Sequence, residues 1–332
     1  MTSKKIIRIS FPVIVLACAY FLGPEPKKPT FDTTKIVVPE ESVALERWVA
    51  NHEKSHHLKP DNEARIVWAD SSKKKTEYSI VYLHGFSASQ EEGDPVHRRI
   101  AKTFGCNLYL ARLSDHGVDT TDALLLFTAE RAWKSVKEAL AIGKQLGNKV
   151  ILMSTSTGGS LALMLAAEYP EDVHALINMS PNIAINNPAA FLLNNPWGLQ
   201  IARMVMHGKY RVSGSDPESC KYWNCQYRLE STVQLQELLE DQMTTETFSK
   251  VKQPALTLYY FKNEQEQDPE VKVSAMLDMN KQLGTPDDMK EIIAMPLAGA
   301  HVLGSPFRSK DVDGVYAEME KFATEKLKMS KH

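Results

Sequence analysis

The chain has 332 residues, of which 43% are hydrophobic and 24% charged, a composition typical of a folded globular protein. Its 39 basic and 41 acidic side chains give a formal net charge of −2, so there is no excess positive charge for binding a polyanion. Nucleic acid is therefore excluded as an expected partner, and a chain of this length can bury a large core.

The N-terminus carries a short apolar segment. Lys4, Lys5 and Arg8 precede an uncharged run at 9–23, a pattern typical of an export signal or a membrane anchor. The run is shorter than the ~20 residues of a usual membrane-spanning helix, and it contains the sequence VLAC, which resembles a bacterial lipoprotein processing site ending at Cys18. We expect residues 1–23 to tether an exported, membrane-associated protein, either as an uncleaved anchor or through lipid on Cys18. Simple secretion is the third alternative.

The rest of the chain alternates between two kinds of segment. Residues 24–62 are expected to form a Pro- and Lys-rich tether followed by a short surface helix at 42–54. Strands are then predicted at 65–69, 78–83, 107–111, 150–153, 175–179, 254–261 and 291–295. Helices are predicted at 95–104, 121–146, 161–169, 271–283 and 312–327. Strands alternating with amphipathic helices indicate a mostly parallel, doubly wound α/β sheet.

This alternation is interrupted between Asn182 and Val251, where no strand signal is present and two helix-like stretches occur. We interpret the segment as a helical lid, inserted after the sixth strand and lying over the carboxyl edge of the sheet. The folded part then consists of a first core part, 63–181, the lid, 182–251, and a second core part, 252–332. Within the lid, Cys220 and Cys225 are close enough to pair in an exported protein, and two free thiols are the alternative.

Residues 153–160, with the sequence MSTSTGGS, lie between a predicted strand and a predicted helix. A hydroxyl presented on a sharp strand-to-helix turn needs small residues two positions before and after it, because the two backbones nearly touch there. Ser156 meets this requirement with Ser154 and Gly158, whereas Ser154 has a serine two residues after it. We therefore predict Ser156 as a nucleophile, with an ordinary Ser/Gly-rich turn as the alternative.

A serine hydroxyl is a weak nucleophile at neutral pH and needs a histidine base that is oriented by a carboxylate. His301 is the predicted base, because it lies in the small-residue loop LAGAHVLGS after a predicted strand. In one known arrangement of such a triad, the residues follow each other along the chain as serine, acid and histidine. With this order, the acid falls in the loop after strand 254–261. The carboxylates of this loop are Glu264, Glu266, Asp268 and Glu270. We choose Asp268, which begins a predicted helix, with Glu264 as the runner-up.

Acyl transfer also needs hydrogen-bond donors for the negative charge that develops on the carbonyl oxygen. One predicted donor is the N–H of Thr157, directly after Ser156 at a helix N-terminus. The other is the N–H of Phe86, in the loop His84-Gly85-Phe86 after strand 78–83. His84 is expected to brace this loop rather than to act as the base. This chemistry requires no cofactor and no metal.

Several separated motifs resemble those of the α/β-hydrolases, in the group that includes esterases, monoacylglycerol lipases and serine aminopeptidases. The motifs are His84-Gly85-Phe86, Asp115-His116-Gly117, residues 154–159, Tyr169-Pro170 and Gly299-Ala300-His301. The resemblance covers about residues 65–327 and implies an α/β-hydrolase fold in which these motifs include the oxyanion loop, the elbow and the general base. Two features depart from the family pattern: Ser154 replaces the first elbow glycine, and the acid loop is longer than usual.

The expected function is hydrolysis of carboxylic esters by a serine hydrolase of carboxylesterase or lipase type, through an acyl-enzyme on Ser156. Apolar lid residues that would line an acyl pocket favour a small-molecule or lipid-like hydrophobic ester as substrate. These residues are Phe191, Leu192, Leu193, Trp197, Met204, Val205 and Met206. The alternative interpretation is that they only pack the lid onto the core.

Two other functions remain as alternatives. A serine aminopeptidase or amidase would use the same triad and would need an acidic lid residue to hold the substrate amine. The candidate acids are Glu218, Glu230, Glu237 and Asp241. A catalytically inactive protein that keeps the fold as a binding module is the second alternative.

Overall fold

A computed structural model describes residues 18–332, and most of the apolar run predicted at 9–23 lies outside this range. The strands are β1 Arg65–Val67, β2 Thr76–Leu83, β3 Asn107–Leu110, β4 Gly147–Thr155, β5 Ala175–Met179, β6 Tyr210–Val212, β7 Gln226–Arg228, β8 Ala255–Tyr259, β9 Phe261–Asn263, β10 Glu266–Gln267 and β11 Lys290–Ala294. The α-helices from residue 42 onward are α1 Ser42–Lys54, α2 Val96–Thr103, α3 Ala129–Leu146, α4 Thr157–Glu168, α5 Gly198–Val205, α6 Pro217–Tyr222, α7 Leu229–Gln242, α8 Thr245–Lys250, α9 Val273–Gln282 and α10 Val312–Glu325. Within residues 18–332, no helix combines the length and apolar character needed to cross a membrane.

The core of the molecule is a seven-stranded sheet with the order β1-β3-β2-β4-β5-β8-β11. All neighbouring strands are parallel except the edge pair β1 and β3. Helices α3 and α4 contribute to the hydrophobic cluster on one face, and α2 and α10 contribute to that on the other. Because both faces are covered, strands β5 and β8 are buried along their whole length and are mostly apolar rather than alternating. The predicted doubly wound parallel sheet is confirmed.

Some boundaries differ from the sequence prediction. Helix α3 begins at Ala129 rather than at residue 121, because the Thr128 side chain caps it by accepting a hydrogen bond from Arg131 N–H at 3.2 Å. Residues 121–126 form turns instead. At the other predicted core elements, the ends differ by at most three residues, except that helix α4 begins four residues early, at Thr157.

The segment 182–251 differs from the predicted lid in two respects. It follows β5, the fifth strand of the described chain rather than the sixth, and it contains a hairpin of β6 and β7 among helices α5–α8. These strands have three residues each, too few to show the alternation that identifies a strand in a sequence. The connection between them contains a disulfide bond that joins Cys220 to Cys225, which settles the open question of their pairing.

The expected tether packs against the core in its second half. The Asp32 carbonyl oxygen accepts hydrogen bonds from the Trp133 indole at 2.8 Å and from Lys137 Nζ at 2.6 Å. Lys137 also contacts the Asp32 carboxylate at 2.9 Å and the Thr34 carbonyl at 3.0 Å, although its side chain is only 4% exposed. Val38 joins the same hydrophobic cluster as helix α3. Residues 31–38 are therefore part of the folded unit, contrary to the interpretation as a tether.

We expect a variant that begins at Glu40 to be less stable than one that begins at Lys28. Burial of Val38 alone contributes about 1.5–3 kcal/mol, and the shorter variant also leaves the buried Lys137 without its three oxygen acceptors. The free energy of unfolding, measured by urea denaturation, should fall by more than the Val38 contribution. Equal urea midpoints would show that residues 31–38 are a tether after all.

Candidate active site

Ser156 lies on the turn between β4 and α4, with φ 53° and ψ −120°. Its backbone N–H donates to the Met179 carbonyl of β5 at 3.0 Å, which fixes the turn to the neighbouring strand. A Cβ atom at Gly158 would lie 2.0 Å from the Leu83 carbonyl oxygen, so no side chain fits at that position. The predicted close crossing of strand and helix backbones is therefore present at the predicted residues.

Ser154, which stands where the family pattern has glycine, is fully buried. Its hydroxyl donates to Asn178 Oδ1 of β5 at 2.7 Å. A small side chain is tolerated there because it has a hydrogen-bond partner inside the sheet. The departure from the glycine pattern therefore leaves the elbow geometry intact.

Asp268 and His301 are joined directly, with 2.7 Å between Asp268 Oδ2 and His301 Nδ1. The other carboxylate oxygen, Oδ1, accepts from the backbone N–H groups of Glu270 at 2.9 Å and Val271 at 3.0 Å. The Asp268 side chain is buried, whereas Glu264 is exposed on the hairpin of β9 and β10. This hairpin accounts for the long acid loop, and the geometry pairs His301 with Asp268 rather than with the runner-up.

The two groups shift each other's pKa in opposite directions. Burial opposes the charged form of both groups. The His301 charge and the hydrogen bonds that the Asp268 carboxylate accepts nevertheless lower the pKa of Asp268 below its usual value. Against the effect of burial, the Asp268 carboxylate raises the pKa of His301. With Asp268 ionised, Nδ1 of His301 carries the proton and donates it to this hydrogen bond, which leaves Nε2 free to accept.

The carboxyl ends of the parallel strands bring these residues to one edge of the sheet. Ser156 follows β4, Asp268 follows the hairpin after β8, and His301 follows β11. Strands β4, β5, β8 and β11 run in the same direction, so their carboxyl ends lie at the same edge. Ser156 is 8% exposed and the His301 side chain 12% exposed, so each retains limited access to solvent.

The two predicted oxyanion donors belong to segments that lie next to Ser156. Thr157 is the first residue of α4, where backbone N–H groups have no partner within the helix. For the N–H groups of Thr157 and Phe86, no hydrogen-bond acceptor is found among residues 18–332. A Cβ atom at Gly85 would lie 2.9 Å from Ser156 Cβ, which shows how closely the oxyanion loop passes the serine. Both N–H groups are therefore available next to the nucleophile.

His84 braces this loop, as expected. It is fully buried, its Nε2 accepts from the Leu113 N–H at 3.0 Å, and its Nδ1 donates to the Gly85 carbonyl at 2.8 Å. Burial and the neighbouring His116 ring lower the pKa of His84 well below its usual value, so the ring is neutral at physiological pH. The Phe86 ring adds edge-to-face contacts to the rings of His116, Phe127 and Tyr227.

The sequence reasoning missed Glu92, which lies in a short 3₁₀-helix at Gln90–Gly93. Its side chain is almost completely buried, and its Oε2 accepts from the Gly85 N–H at 2.5 Å. Burial raises the pKa of Glu92 to about 7, although the Gly85 N–H, the His301 charge and the Trp223 side chain favour the ionised form. No local pattern distinguishes it from its neighbour Glu91, because two adjacent acids before Gly-Asp-Pro indicate an exposed turn.

The predicted acyl-pocket residues do not form a buried lining in this structure. Phe191, Met204 and Val205 are more than half exposed, and the remaining residues of the set are partly exposed. The alternative interpretation, packing onto the core, is also not observed for these three. The inserted segment instead presents an apolar outer surface.

The four lid acids are the candidates for binding a substrate amine, and most of them already have a partner within the inserted segment. Glu218 pairs with Lys221 at 2.6 Å, and Glu230 pairs with Arg203 at 2.6 Å and with Arg228. The Glu237 carboxylate accepts from the Asn194 amide at 2.9 Å, and Asp241 is exposed. Three of the four are thus held by partners within the inserted segment.

Comparison with known proteins gives matches of structure rather than of sequence. No protein-family model matches the chain, and no curated protein matches it at a significant level. One similar solved structure is that of the metagenome-derived lipolytic enzymes LipS and LipT. It has 15% identity and a TM-score of 0.61, and the match covers 80% of this chain and 98% of that one.

Two further solved structures show the same similarity. Est1E from Butyrivibrio proteoclasticus with ferulic acid bound has 18% identity and a TM-score of 0.55, covering 80% of this chain and 95% of that one. A soluble variant of monoglyceride lipase from Saccharomyces cerevisiae, in complex with a substrate analogue, has 11% identity and a TM-score of 0.57, covering 78% and 90%. The chain therefore has the α/β-hydrolase fold, which confirms the fold that the sequence motifs implied.

Proposed function

We propose that this protein is a serine hydrolase that cleaves carboxylic esters through an acyl-enzyme on Ser156. The observation that carries the proposal is the hydrogen bond between His301 and Asp268, at the sheet edge where the elbow presents Ser156. Similarity to lipases and esterases supports ester hydrolysis as the reaction class. The elbow, the paired imidazole and the two N–H donors are the parts that acyl transfer requires.

In the first half of the reaction, His301 Nε2 accepts the Ser156 proton while Oγ attacks the ester carbonyl carbon. The tetrahedral oxyanion accepts hydrogen bonds from the Phe86 and Thr157 N–H groups, and each such donor lowers the barrier by about 3 kcal/mol. The imidazolium then gives its proton to the departing alcohol, which leaves an ester between Ser156 and the acyl group. In the second half, water repeats these steps with His301 as base, and the acid and free serine are released.

Asp268 stabilises the imidazolium that forms in both halves of the reaction. It accepts the hydrogen bond from Nδ1–H, which leaves Nε2 as the nitrogen that can act as base, and its negative charge raises the pKa of His301. The base must be neutral before it can accept a proton, so activity should rise as pH increases through the pKa of His301.

A hydrophobic, lipid-like ester is the proposed substrate class. Support comes from the apolar outer surface of the inserted segment and from the lipolytic enzymes among the structural neighbours. The Trp197 indole of this segment donates to the carbonyl of Ala19, a residue of the apolar N-terminal run, at 2.9 Å. Membrane association through that run, or through lipid on Cys18, remains part of the proposal, and the Cys220–Cys225 disulfide is consistent with an exported protein.

The alternatives have less support from the described residues. An aminopeptidase would need a free acid for the substrate amine, whereas three of the four lid candidates are already paired. A catalytically inactive protein would not need to retain a buried carboxylate on His301 at the same sheet edge as Ser156. Ester hydrolysis is therefore the function that the geometry supports best.

Ser156→Ala should abolish covalent labelling by a fluorophosphonate probe, which wild-type protein should acquire at a single serine. The reason is that the probe reacts with an activated serine hydroxyl, and only Ser156 lies on the elbow. Labelling is measured by mass spectrometry, with Ser154→Ala as the matched control. Label retained in Ser156→Ala, or absent from the folded wild type, would contradict the proposal.

Asp268→Asn should lower kcat for a soluble ester by on the order of 10⁴, because the amide cannot hold His301 in the tautomer with Nδ1 protonated. Glu264→Gln, which removes an exposed carboxylate from the same loop, should leave kcat within about twofold. Steady-state kinetics on the two variants make the comparison. A larger loss in Glu264→Gln than in Asp268→Asn would move the acid to the runner-up.

Among p-nitrophenyl esters of increasing acyl length, kcat/KM should rise from acetate to a medium-chain ester, because more apolar surface is then removed from water on binding. Each methylene that is fully buried contributes about 0.8 kcal/mol, or roughly fourfold in kcat/KM. The same protein is assayed on amino-acid p-nitroanilides. Cleavage of the anilides alone would favour the aminopeptidase alternative.

A further inference from the structure

The site contains a second buried acid that the triad does not use. Glu92 Oε2 accepts from the Gly85 N–H at 2.5 Å, and Gly85 directly precedes the proposed oxyanion donor Phe86. A Cβ atom built on Gly85 would lie 2.9 Å from both Glu92 Oε1 and Ser156 Cβ. The Glu92 carboxyl group therefore lies beside the oxyanion loop, close to the nucleophile, with a side chain that is almost completely buried.

The hydrogen bond from Gly85 to Glu92 restrains the oxyanion loop directly before the Phe86 N–H, whose direction the reaction depends on. Gly85 has no side chain with which to fix its own backbone, and the residues after it reach Gln90 through turns. The Phe86 N–H has to point at a tetrahedral oxygen, and a misplacement of about 1 Å in such a group can reduce the rate ~100-fold. An acceptor on Gly85 N–H fixes the peptide immediately before that donor.

The loop that carries His301 passes beside Glu92, since a Cβ atom at Gly304 would lie 3.2 Å from the Glu92 carbonyl oxygen. The negative charges that raise the pKa of His301 are Asp268, Glu92 and Glu270, and burial opposes them. The interaction is reciprocal, because the His301 charge favours the ionised form of Glu92. Asp268 bonds to Nδ1, and Glu270 is exposed, so Glu92 is the second buried carboxylate that influences the base.

Trp223 of the inserted segment also acts on Glu92. Its side chain lowers the pKa of Glu92, against the larger effect of burial. Its backbone is held in place, because the Lys59 ammonium donates to the Trp223 carbonyl at 3.2 Å and the Asn224 N–H donates to the Ser87 carbonyl at 2.7 Å. Trp223 also lies within the loop that the Cys220–Cys225 disulfide closes. Glu92 thus links the oxyanion loop, the base and the inserted segment.

We propose that Glu92 is a positioning residue of this site, which fixes the oxyanion loop through the Gly85 N–H and stabilises the His301 imidazolium as a second negative charge. The inference rests on the proposed serine-hydrolase function. The burial that raises the pKa of Glu92 to about 7 makes its charge available as pH rises through neutrality. Over that range the ionised Glu92 keeps the proton on His301 to higher pH than Asp268 alone would.

Two substitutions in the full chain separate the two parts of this role. Glu92→Gln keeps an oxygen acceptor for Gly85 but removes the charge, so the acidic limb of the kcat/KM–pH profile should move to lower pH while kcat at its plateau falls by less than about tenfold. Glu92→Ala removes both, so kcat should fall by about tenfold or more. Glu91→Gln is the matched control, because the same change of charge one residue away should leave the profile unchanged.

A readout that does not depend on turnover is the downfield ¹H NMR resonance of the His301 Nδ1 proton, assigned by its loss in His301→Gln. Its titration midpoint should be lower in Glu92→Gln than in wild type and unchanged in Glu91→Gln. A lower midpoint in a protein without esterase activity would support the role of the charge and reject the hydrolase function. Unchanged midpoints and pH profiles in Glu92→Gln, in an active esterase, would overturn this inference and leave the hydrolase function standing.

The proposed anchoring of the oxyanion loop through the Gly85 N–H is tested with Glu92→Ala. Should this variant retain wild-type kcat, the Gly85 hydrogen bond does not position the loop. Should it fail to fold, Glu92→Asp decides instead, because the shorter side chain keeps the charge but withdraws the acceptor. Loss of kcat in Glu92→Asp with the acidic limb unmoved would support anchoring, and wild-type kcat would overturn it.

Discussion

The close approach of two backbones at the elbow determines most of the site. Gly158 passes so near the Leu83 carbonyl that only hydrogen fits on its α-carbon. This contact packs the first turn of helix α4 against the end of β2, so Thr157 and the loop that contains Gly85 both lie close to Ser156. A single steric constraint therefore places the nucleophile and both proposed donors together, before any polar interaction is considered.

The two buried acids show how hydrogen bonding decides the state of a carboxyl group. Both lose hydration on burial, which raises a carboxyl pKa. Asp268 accepts two backbone N–H groups and the His301 proton, and its pKa lies below the usual value. Glu92 has fewer donors, and its pKa is raised to about 7. The first is suited to permanent negative charge, and the second changes its charge near neutral pH.

Segments outside the parallel sheet pack against its helices and against the loops of the site. Residues 31–38 pack on helix α3 through a buried lysine, and the disulfide-closed loop of the inserted segment contacts the chain at Lys59 and Ser87. Asn182 N–H donates to the Ser156 carbonyl at 2.9 Å, and the Asn186 amide donates to the Asp268 carbonyl at 3.0 Å. The inserted segment is thus bonded to the peptides of two proposed triad members.

The sequence by itself determined the alternating strands and helices, the elbow at Ser156 and the pairing of His301 with the loop that contains Asp268. These features depend on local patterns: apolar periodicity, small residues around a sharp turn, and order along the chain. The choice between Asp268 and Glu264 needed the tertiary structure, because burial and the β9–β10 hairpin decide which carboxylate reaches His301. The packing of residues 31–38 and the burial of Glu92 were also decided only there, since each depends on partners far away in the chain.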